Sequence, residues 1–351
     1  MRRYKKDPRQ PMPAGRRVTA LDVARLAGVS RSAVSRAFTP GASISKEARE
    51  RVLRAADQLG YQPNLIARSL MTRRSQLIVL VMAQLRNPFF TEMLGLFNRR
   101  FRERGYQTLL LSVDDGLTAD DIIDNLFQYQ PEGAVLVSCS PTPELSQRCA
   151  RFNIPIVYMD RSSPQAEETA SRVWVSDRAL GVKVAEHLLA ENRRRIAFIA
   201  GHPDEPLSEL AQAFVDTVTM QDDATLVQEC GQYSYELGYQ AALRLLRGAN
   251  PPDGIFCVAD SIALGALDAA RMVMNIDVPD QLSIIGFSDI AAASWRSTGL
   301  TTVRLPIESL VNEATDMLLK QIDSPQIARQ QILLDCPIIE RRTTTPVAES
   351  A

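Results

Sequence analysis

LDVARLAGVSRSAVSRAF, the run from Leu21 to Phe38, decides how the rest of the chain is read. It holds two short helical patterns around a Gly28-Val29-Ser30 turn. Leu21, Ala24 and Ala27 share one face of the first pattern, and Ala33, Val34 and Ala37 share one face of the second. At about 100° per residue, Arg31, Ser32, Ser35 and Arg36 fall on the opposite face of that second helix. Two small helices with a tight turn, the second offering polar side chains outward, have the form of a helix-turn-helix facing a DNA groove.

The flanks supply a third helix. Thr19 and Asp22 make a Thr-x-x-Asp capping pattern at the start of the first helix, and Ser30 suits the cap of the second. Ser45 caps a third, along which Ala48, Val52, Ala55 and Leu59 form an apolar stripe that Gly60 ends. Residues 18–62 therefore read as a small all-α headpiece. Residues 1–17 are basic and Pro-rich and read as a disordered tail with no secretory h-region.

Charge separates this head from the rest of the chain. Residues 1–76 carry seventeen Lys and Arg against five Asp and Glu, and the remainder carries twenty-three against thirty-six. A basic head on an acidic body is the layout of a chain whose one end meets a polyanion. The five cysteines, at 139, 149, 230, 257 and 336, form no Cys-x-x-Cys and read as reduced thiols. No apolar run reaches membrane-spanning length, so a cytoplasmic location is expected, with no membrane partner.

From Gln76 the periodicity changes. Apolar strands are expected at Leu77–Leu85, Gln107–Val113, Gly133–Ser140, Ile154–Asp160, Val173–Ser176, Arg195–Gly201, Gly254–Asp260 and Ser283–Phe287. Between them run helical patterns from Phe89 to Gly105, over 119–130, around Leu180–Ala190 and over Ser261–Met274. Continuous apolar strands alternating with helices mean parallel sheets covered on both faces. Two such sets predict an α/β core of two doubly wound subdomains over 76–342, with ligands at the carboxyl ends of the strands. Residues 343–351 read as a flexible tail.

VTALDVARLAGVSRSAVSRAF and ISKEARERVLRAADQLGYQPNLIARSL (Ile44 to Leu70) resemble the LacI/GalR family of bacterial transcription regulators. The resemblance extends from Val18 to about Arg342. It implies that Arg31 and Ser32 read bases, that Arg36 adds a third base contact, and that Thr19, Ser30 and Ser35 touch the DNA backbone. Residues 63–75 then correspond to a hinge helix that folds on DNA, paired with that of a second subunit. In the same family pattern Leu70 is an apolar wedge in the minor groove, with Asn64, Ala67 and Arg68 beside it. The core is expected to be periplasmic-binding-protein-like, with the chain crossing between subdomains near 160–170, 287–305 and the last strand. The implied partners are a palindromic duplex operator, a small effector such as a sugar or sugar derivative, and a second copy of the chain.

The expected effector contacts by that resemblance are Phe89, Asp160, Arg161, Tyr233 and Asp260. Asp260 reads equally as a helix N-cap, and both roles can coexist. Phe90 is expected to pack, and Trp295 to lie near the cleft or to pack. Three departures stand out. Leu210 replaces an effector-binding Arg, Asp177-Arg178 replaces Asp-Asn, and Ser288-Asp289 replaces Asp-Asp. Enzyme chemistry finds no support: there is no Gly-x-Gly-x-x-Gly, P-loop or Gly-x-Ser-x-Gly. His187 and His202 lack metal-ligand spacing, so no cofactor or metal is expected. The rival readings are a binding protein of the periplasmic type without a DNA role, and an α/β enzyme fused to a DNA-binding head. The basic headpiece argues against the first, and the missing catalytic motifs against the second.

Overall fold

A computed structural model describes residues 18–39, 41–62, 74–113, 127–138, 143–159, 171–201 and 208–346. The basic tail, most of the hinge segment with Asn64, Ala67, Arg68 and Leu70, the Asp160-Arg161 pair, residues 119–126 and His202 lie outside the described residues. The chain divides into two compact units, Met1–Ser75 and Gln76–Ala351.

The first unit is three helices, α1 (Ala20–Ala27), α2 (Arg31–Ala37) and α3 (Lys46–Leu59). Each start is set by a side chain. The Thr19 backbone N–H and hydroxyl both donate to Asp22 Oδ2, at 3.0 and 2.6 Å. Ser30 and Ser45 accept from the amides of Ala33 and Ala48, each at 3.2 Å. Gly28 ends α1 in the left-handed region at φ 65°, which only glycine adopts without a steric cost. The core is Val23, Ala24, Ala27, Val34, Ala37, Val52, Ala55 and Ala56. Leu21 departs from expectation: it is 46% exposed, and the buried face of α1 runs through Val23, Ala24 and Ala27 instead. Fully buried Val23 sets the inward direction, and Leu21 lies about 200° away from it around the helix.

The second unit contains two sheets of six strands. The first joins β1 (Leu77–Ala83), β2 (Gln107–Val113), β3 (Gly133–Val137), β4 (Ile156–Met159), β5 (Ser171–Val175) and β11 (Gln331–Leu334) in the order β11-β5-β4-β3-β1-β2, all parallel. The second joins β6 (Arg195–Ala200), β7 (Thr225–Cys230), β8 (Gly254–Cys257), β9 (Ser283–Ser288), β10 (Thr301–Arg304) and β12 (Ile338–Ile339) in the order β12-β10-β9-β8-β6-β7, parallel except for β12. Strand order reverses at β1/β3 and at β6/β8, which marks the carboxyl ends of those strands as the ligand-bearing edge.

The helices are α4 (Pro88–Glu103), α5 (Pro143–Arg151), α6 (Asp177–Ala190), α7 (Glu209–Thr219), α8 (Tyr235–Leu246), α9 (Asp260–Asp268) and α10 (Ile307–Asp323). The pattern expected over 119–130 is, where described, a single 3-10 turn at Phe127–Tyr129. The pattern over Ser261–Met274 is α9 followed by a π turn, Ala269–Val273.

Two expectations are corrected. The first crossover between the sheets does not lie at 160–170. Ser171–Val175 still belongs to the first sheet, pairing with β4 and β11, so the chain crosses between β5 and α6. It returns between β10 and α10, and crosses a last time between β11 and β12. Residues 343–346 are not a loose tail. Thr343 and Thr344 are buried, and the Thr343 hydroxyl donates to Ile284 O at 2.7 Å while accepting from Thr301 N at 2.8 Å. Ile284 N donates to Thr343 O at 2.8 Å, so the segment is strapped to β9 by its backbone and to β10 by the Thr343 hydroxyl.

Candidate nucleic-acid interface and effector cleft

On the first unit, Arg31, Ser32, Ser35 and Arg36 are all exposed, while Val34 and Ala37 from the same helix are buried. The helix thus holds its apolar side on the headpiece core and turns two guanidiniums and two hydroxyls outward. Arginine can bind guanine O6 and N7 with two parallel bonds, and hydroxyls can bond phosphate. Ser30 is a helix cap whose hydroxyl also lies 2.9 Å from that of Ser32. Thr19 makes capping bonds with Asp22.

In the second unit a cavity of about 240 Å³ opens where both sheets present carboxyl ends. Phe89 and Glu92 enter it from the start of α4, Ser288 and Asp289 from the end of β9, and Arg304 from the end of β10. Asn87 sets the start of α4 by accepting from Phe89 N at 3.1 Å. Phe89 lines the cavity and Phe90 does not; their rings meet edge to face at 5.3 Å.

Asp260 is not among the residues that line this cavity. It is 1% exposed, with Oδ2 accepting from Ile290 N at 2.8 Å and Oδ1 from the Thr302 hydroxyl at 2.6 Å. It is not the N-cap of α9; Ala259 holds that position and Asp260 is the first helical residue. Its carboxylate instead ties the helix start to the segment after β9 and to β10. Burial pushes its pKa up to about 6, against the pull of the Thr302 and Ile290 bonds. Tyr233 also stands apart from the cavity lining: its ring covers Gly201 at the end of β6, where a Cβ would collide with it.

The sequence departures resolve unevenly. Leu210 is fully buried, and the α6–α7 contact is so close that a Cβ on Gly181 would strike the Leu210 carbonyl. An arginine there would have to leave that core. Arg178 is exposed in the first turn of α6. In the sequence Asp289 is only part of a changed motif, yet it accepts from Arg304 Nε and Arg341 Nη2, both at 2.6 Å. Arg304 lies in TTVRLPIESL, a stretch that fits the family's C-terminal pattern, but its pairing with Asp289 appears only once β10 lies beside β9. Trp295 does not pack in the core; it is 60% exposed.

His187 is structural, as its helix position suggests. Its Nε2 lies 3.3 Å from Glu191 Oε1, and Glu191 Oε2 accepts from the Ser283 hydroxyl at 2.6 Å and Thr345 N at 2.8 Å. Among the described residues, no group of three or more His, Cys, Asp or Glu is placed to hold a metal ion. No described helix is long and apolar enough to cross a membrane.

Comparison with known proteins matches residues 19–64 to the family described as bacterial regulatory proteins, lacI family, and residues 185–344 to a periplasmic binding protein-like domain. The ribose operon repressor of Halalkalibacterium halodurans is 33% identical over 330 residues, covering 93% of this chain and 97% of that protein. The transcriptional repressor CytR of Escherichia coli K12 is 29% identical over 332 residues, covering 93% and 96%. Among solved structures, the lac repressor dimer bound to operator and the anti-inducer ONPF aligns with TM-score 0.79 at 24% identity, covering 94% of this chain and 100% of that one. A CelR–cellobiose complex aligns with TM-score 0.66 at 26% identity, covering 93% and 100%.

Proposed function

The chain belongs to the LacI family of bacterial regulatory proteins, and on that premise we propose how this DNA-binding transcriptional regulator works. It acts as a repressor on a palindromic operator, as a homodimer, and a small molecule in the core cleft changes its hold on DNA. The observation that carries the reading is the outward face of α2, where Arg31, Ser32, Ser35 and Arg36 are exposed on a helix whose other side is buried. Arg31, Ser32 and Arg36 contact base edges, while Thr19, Ser30 and Ser35 contact the backbone. Asn64, Ala67, Arg68 and Leu70 belong to a hinge that docks in the minor groove, with Leu70 as an apolar wedge.

The second copy docks on an apolar surface of the core. Met272 is 77% exposed and Val273, Tyr235 and Leu237 are also exposed. Arg271 donates to the carbonyls of Ser297 and Thr298, which brings this surface next to Trp295. Two-fold pairing matches two headpieces to two half-sites. The effector enters the cleft that Phe89 lines, with Asp260, Tyr233, Asp160 and Arg161 belonging to its surroundings. Sugars are the ligands in view, since relatives are named for ribose and a CelR structure holds cellobiose. Regulation follows from differential affinity of the effector for the DNA-competent and incompetent forms. The protein performs this role in the cytoplasm and without catalysis.

The test is a selection of duplexes from a random library, followed by titration of the winning site. Arg31→Ala should weaken that site by roughly 1–3 kcal/mol and relax preference at one base pair in each half-site. Uniform weakening at every position would remove the base-reading role of Arg31, and failure of the wild type to select any site would remove the regulator mechanism.

A further inference from the structure

We propose that the second unit makes its own contact with the operator duplex: arginines at the amino edge of its first sheet hold backbone phosphates outside the half-site. The proposal rests on the chain binding an operator, and it adds a surface beyond α2 and the hinge. The chain enters the core at this edge. Gln76 N donates to Glu132 Oε1 at 2.7 Å, and Gln76 O accepts from Gln107 N at 2.8 Å, so the residue before β1 is pinned beside the starts of β2 and β3. Residues 63–75 are the tether from the headpiece. Fully extended they span at most about 50 Å, roughly one and a half turns of duplex.

Two helices end at the same edge. α4 stops four residues before β2 begins, and α5 five residues before β4. Their last turns carry two arginines each, Arg100 and Arg102 on α4, Arg148 and Arg151 on α5. The negative end of a helix dipole amounts to about half a charge, so one arginine already offsets it. The last turns of α6, α8 and α10 hold one basic residue each, and those of α7 and α9 none. At the matching edge of the second sheet the arginines have protein partners. Arg194 pairs with Asp223 at 2.8 Å and Arg195 with Asp253 at 3.3 Å, while Arg193 donates to Pro279 O at 2.6 Å.

The acids of the first edge do not cancel its charge. Glu103 pairs with Arg100 at 3.6 Å, and Asp316 with Arg104 at 3.3 Å. Arg99, one turn back, shares a small cavity with Glu308, and Lys320 precedes Asp323 by three residues on α10. Among the described residues, that leaves Glu132 as the one carboxylate against exposed Arg74, Arg102, Arg148 and Arg151. The Arg148 guanidinium lies 4.8 Å over the Phe127 ring, which holds its position and keeps its charge. No described carboxylate pairs with Arg102 or Arg151. The arginines also flank the entry point from both sides of the sheet. Phe97 and Phe101 of α4 share a core with Ile78 and Leu80, whereas Cys149 of α5 packs with Val79 and Val81. Beyond residue 76 the chain carries thirty-six Asp and Glu against twenty-three Lys and Arg, so this edge reverses the sign of the body that bears it. The body at large is repelled by phosphates, and a basic edge is the part that can approach them.

The experiment is titration of the full chain with its selected operator, once trimmed to the site and once flanked by about fifteen base pairs on each side, over a range of salt. Wild type is compared with Arg102→Gln/Arg151→Gln and with Arg195→Gln/Arg244→Gln, which removes the same charge from the second sheet. Sedimentation equilibrium of each registers the dimer. On the flanked duplex, Arg102→Gln/Arg151→Gln should weaken binding roughly tenfold or more at about 0.15 M salt. It should lower the slope of log K against log salt by about 3–4, from two phosphate contacts in each of two protomers. Base preference should stay as in wild type, because phosphate contacts carry no sequence. On the trimmed duplex the two proteins should bind alike, and Arg195→Gln/Arg244→Gln should match wild type on both. Equal affinity and slope on the flanked duplex overturn the proposal, and the edge, with exposed Tyr129 and Phe152 beside it, then fits an acidic protein segment instead. An equal loss on the trimmed duplex, an equal loss in Arg195→Gln/Arg244→Gln, or a weakened dimer overturns it too. In each of those cases the regulator reading stands as long as wild type selects a site and Arg31→Ala relaxes its preference; wild type that binds no duplex removes both.

Discussion

Asp260 concentrates the residue-scale physics of the core. Its carboxylate is buried, yet both oxygens are held by protein donors, Ile290 N and the Thr302 hydroxyl. Burial dominates, so its pKa stands near 6 in the folded chain, above the ~3.9 of an unfolded Asp. The protonated form is thus favoured by folding. The stability it contributes is complete below about pH 4 and is lost as pH rises through about 6. Asp260→Asn keeps an acceptor for Ile290 N and can donate to Thr302. The stability of wild type relative to Asp260→Asn should therefore fall by roughly 2–3 kcal/mol between pH 4 and 7. Paired denaturant titrations across that range measure it; a constant difference would mean that the carboxylate titrates normally. Thr343 offers a neutral counterpart. Thr343→Val leaves Ile284 O without its hydroxyl donor and Thr301 N without its acceptor, inside a buried strap. A loss of about 2 kcal/mol is expected in the same assay, and no loss would show that the strap bears little of the core's stability.

At the scale of elements, the close approach of α6 and α7 depends on Gly181. A Cβ there would meet the carbonyl of Leu210, and Ala213 and Phe214 lie just beyond. Gly181→Ala should therefore force the two helices apart and destabilise the core by roughly 1–3 kcal/mol, with the headpiece melting unaffected. Separate thermal transitions for headpiece and core would resolve the two; an unchanged core transition would mean the helices part without cost. The same contact explains why Leu210 cannot stand in for an effector-binding side chain. It belongs to the core between α6 and α7, and the cavity draws on α4, β9, β10 and the crossover into α10 instead.

At the scale of the whole molecule, pairing should depend on the exposed apolar surface of the core. Met272→Asp places a charge where 77% of the side chain is open in the single chain. If the second copy covers it, sedimentation equilibrium should show the dimer weakened by roughly a hundredfold or more, because an unpaired charge in an interface is costly. Operator affinity should fall with it, since two half-sites need two headpieces. A variant that still forms the dimer at wild-type concentrations would place the interface elsewhere.

What the sequence determined by itself was everything that short-range spacing encodes. Thr19, Ser30, Ser45 and Gly60 stand at helix ends because capping needs only residues within three or four positions. The outward face of α2 follows from helical period alone. The alternation of apolar strands and helices predicted two parallel sheets, since a strand buried on both faces leaves a continuous apolar run. Tertiary structure decided what depends on partners distant in the chain. Leu21 reads as core until the packing of three helices turns Val23 inward. Ser171–Val175 reads as lying beyond the first crossover, because pairing with β4 and β11 cannot be seen in five residues. Thr343 and Thr344 read as tail, although their bonds to Ile284 and Thr301 bury them. Asp260 reads as a possible cap, and only the arrival of Ile290 and Thr302 gives its carboxylate other work. The Arg304–Asp289–Arg341 cluster is the clearest case: three charges, up to 52 residues apart, acquire meaning only when adjacent strands of one sheet bring them together.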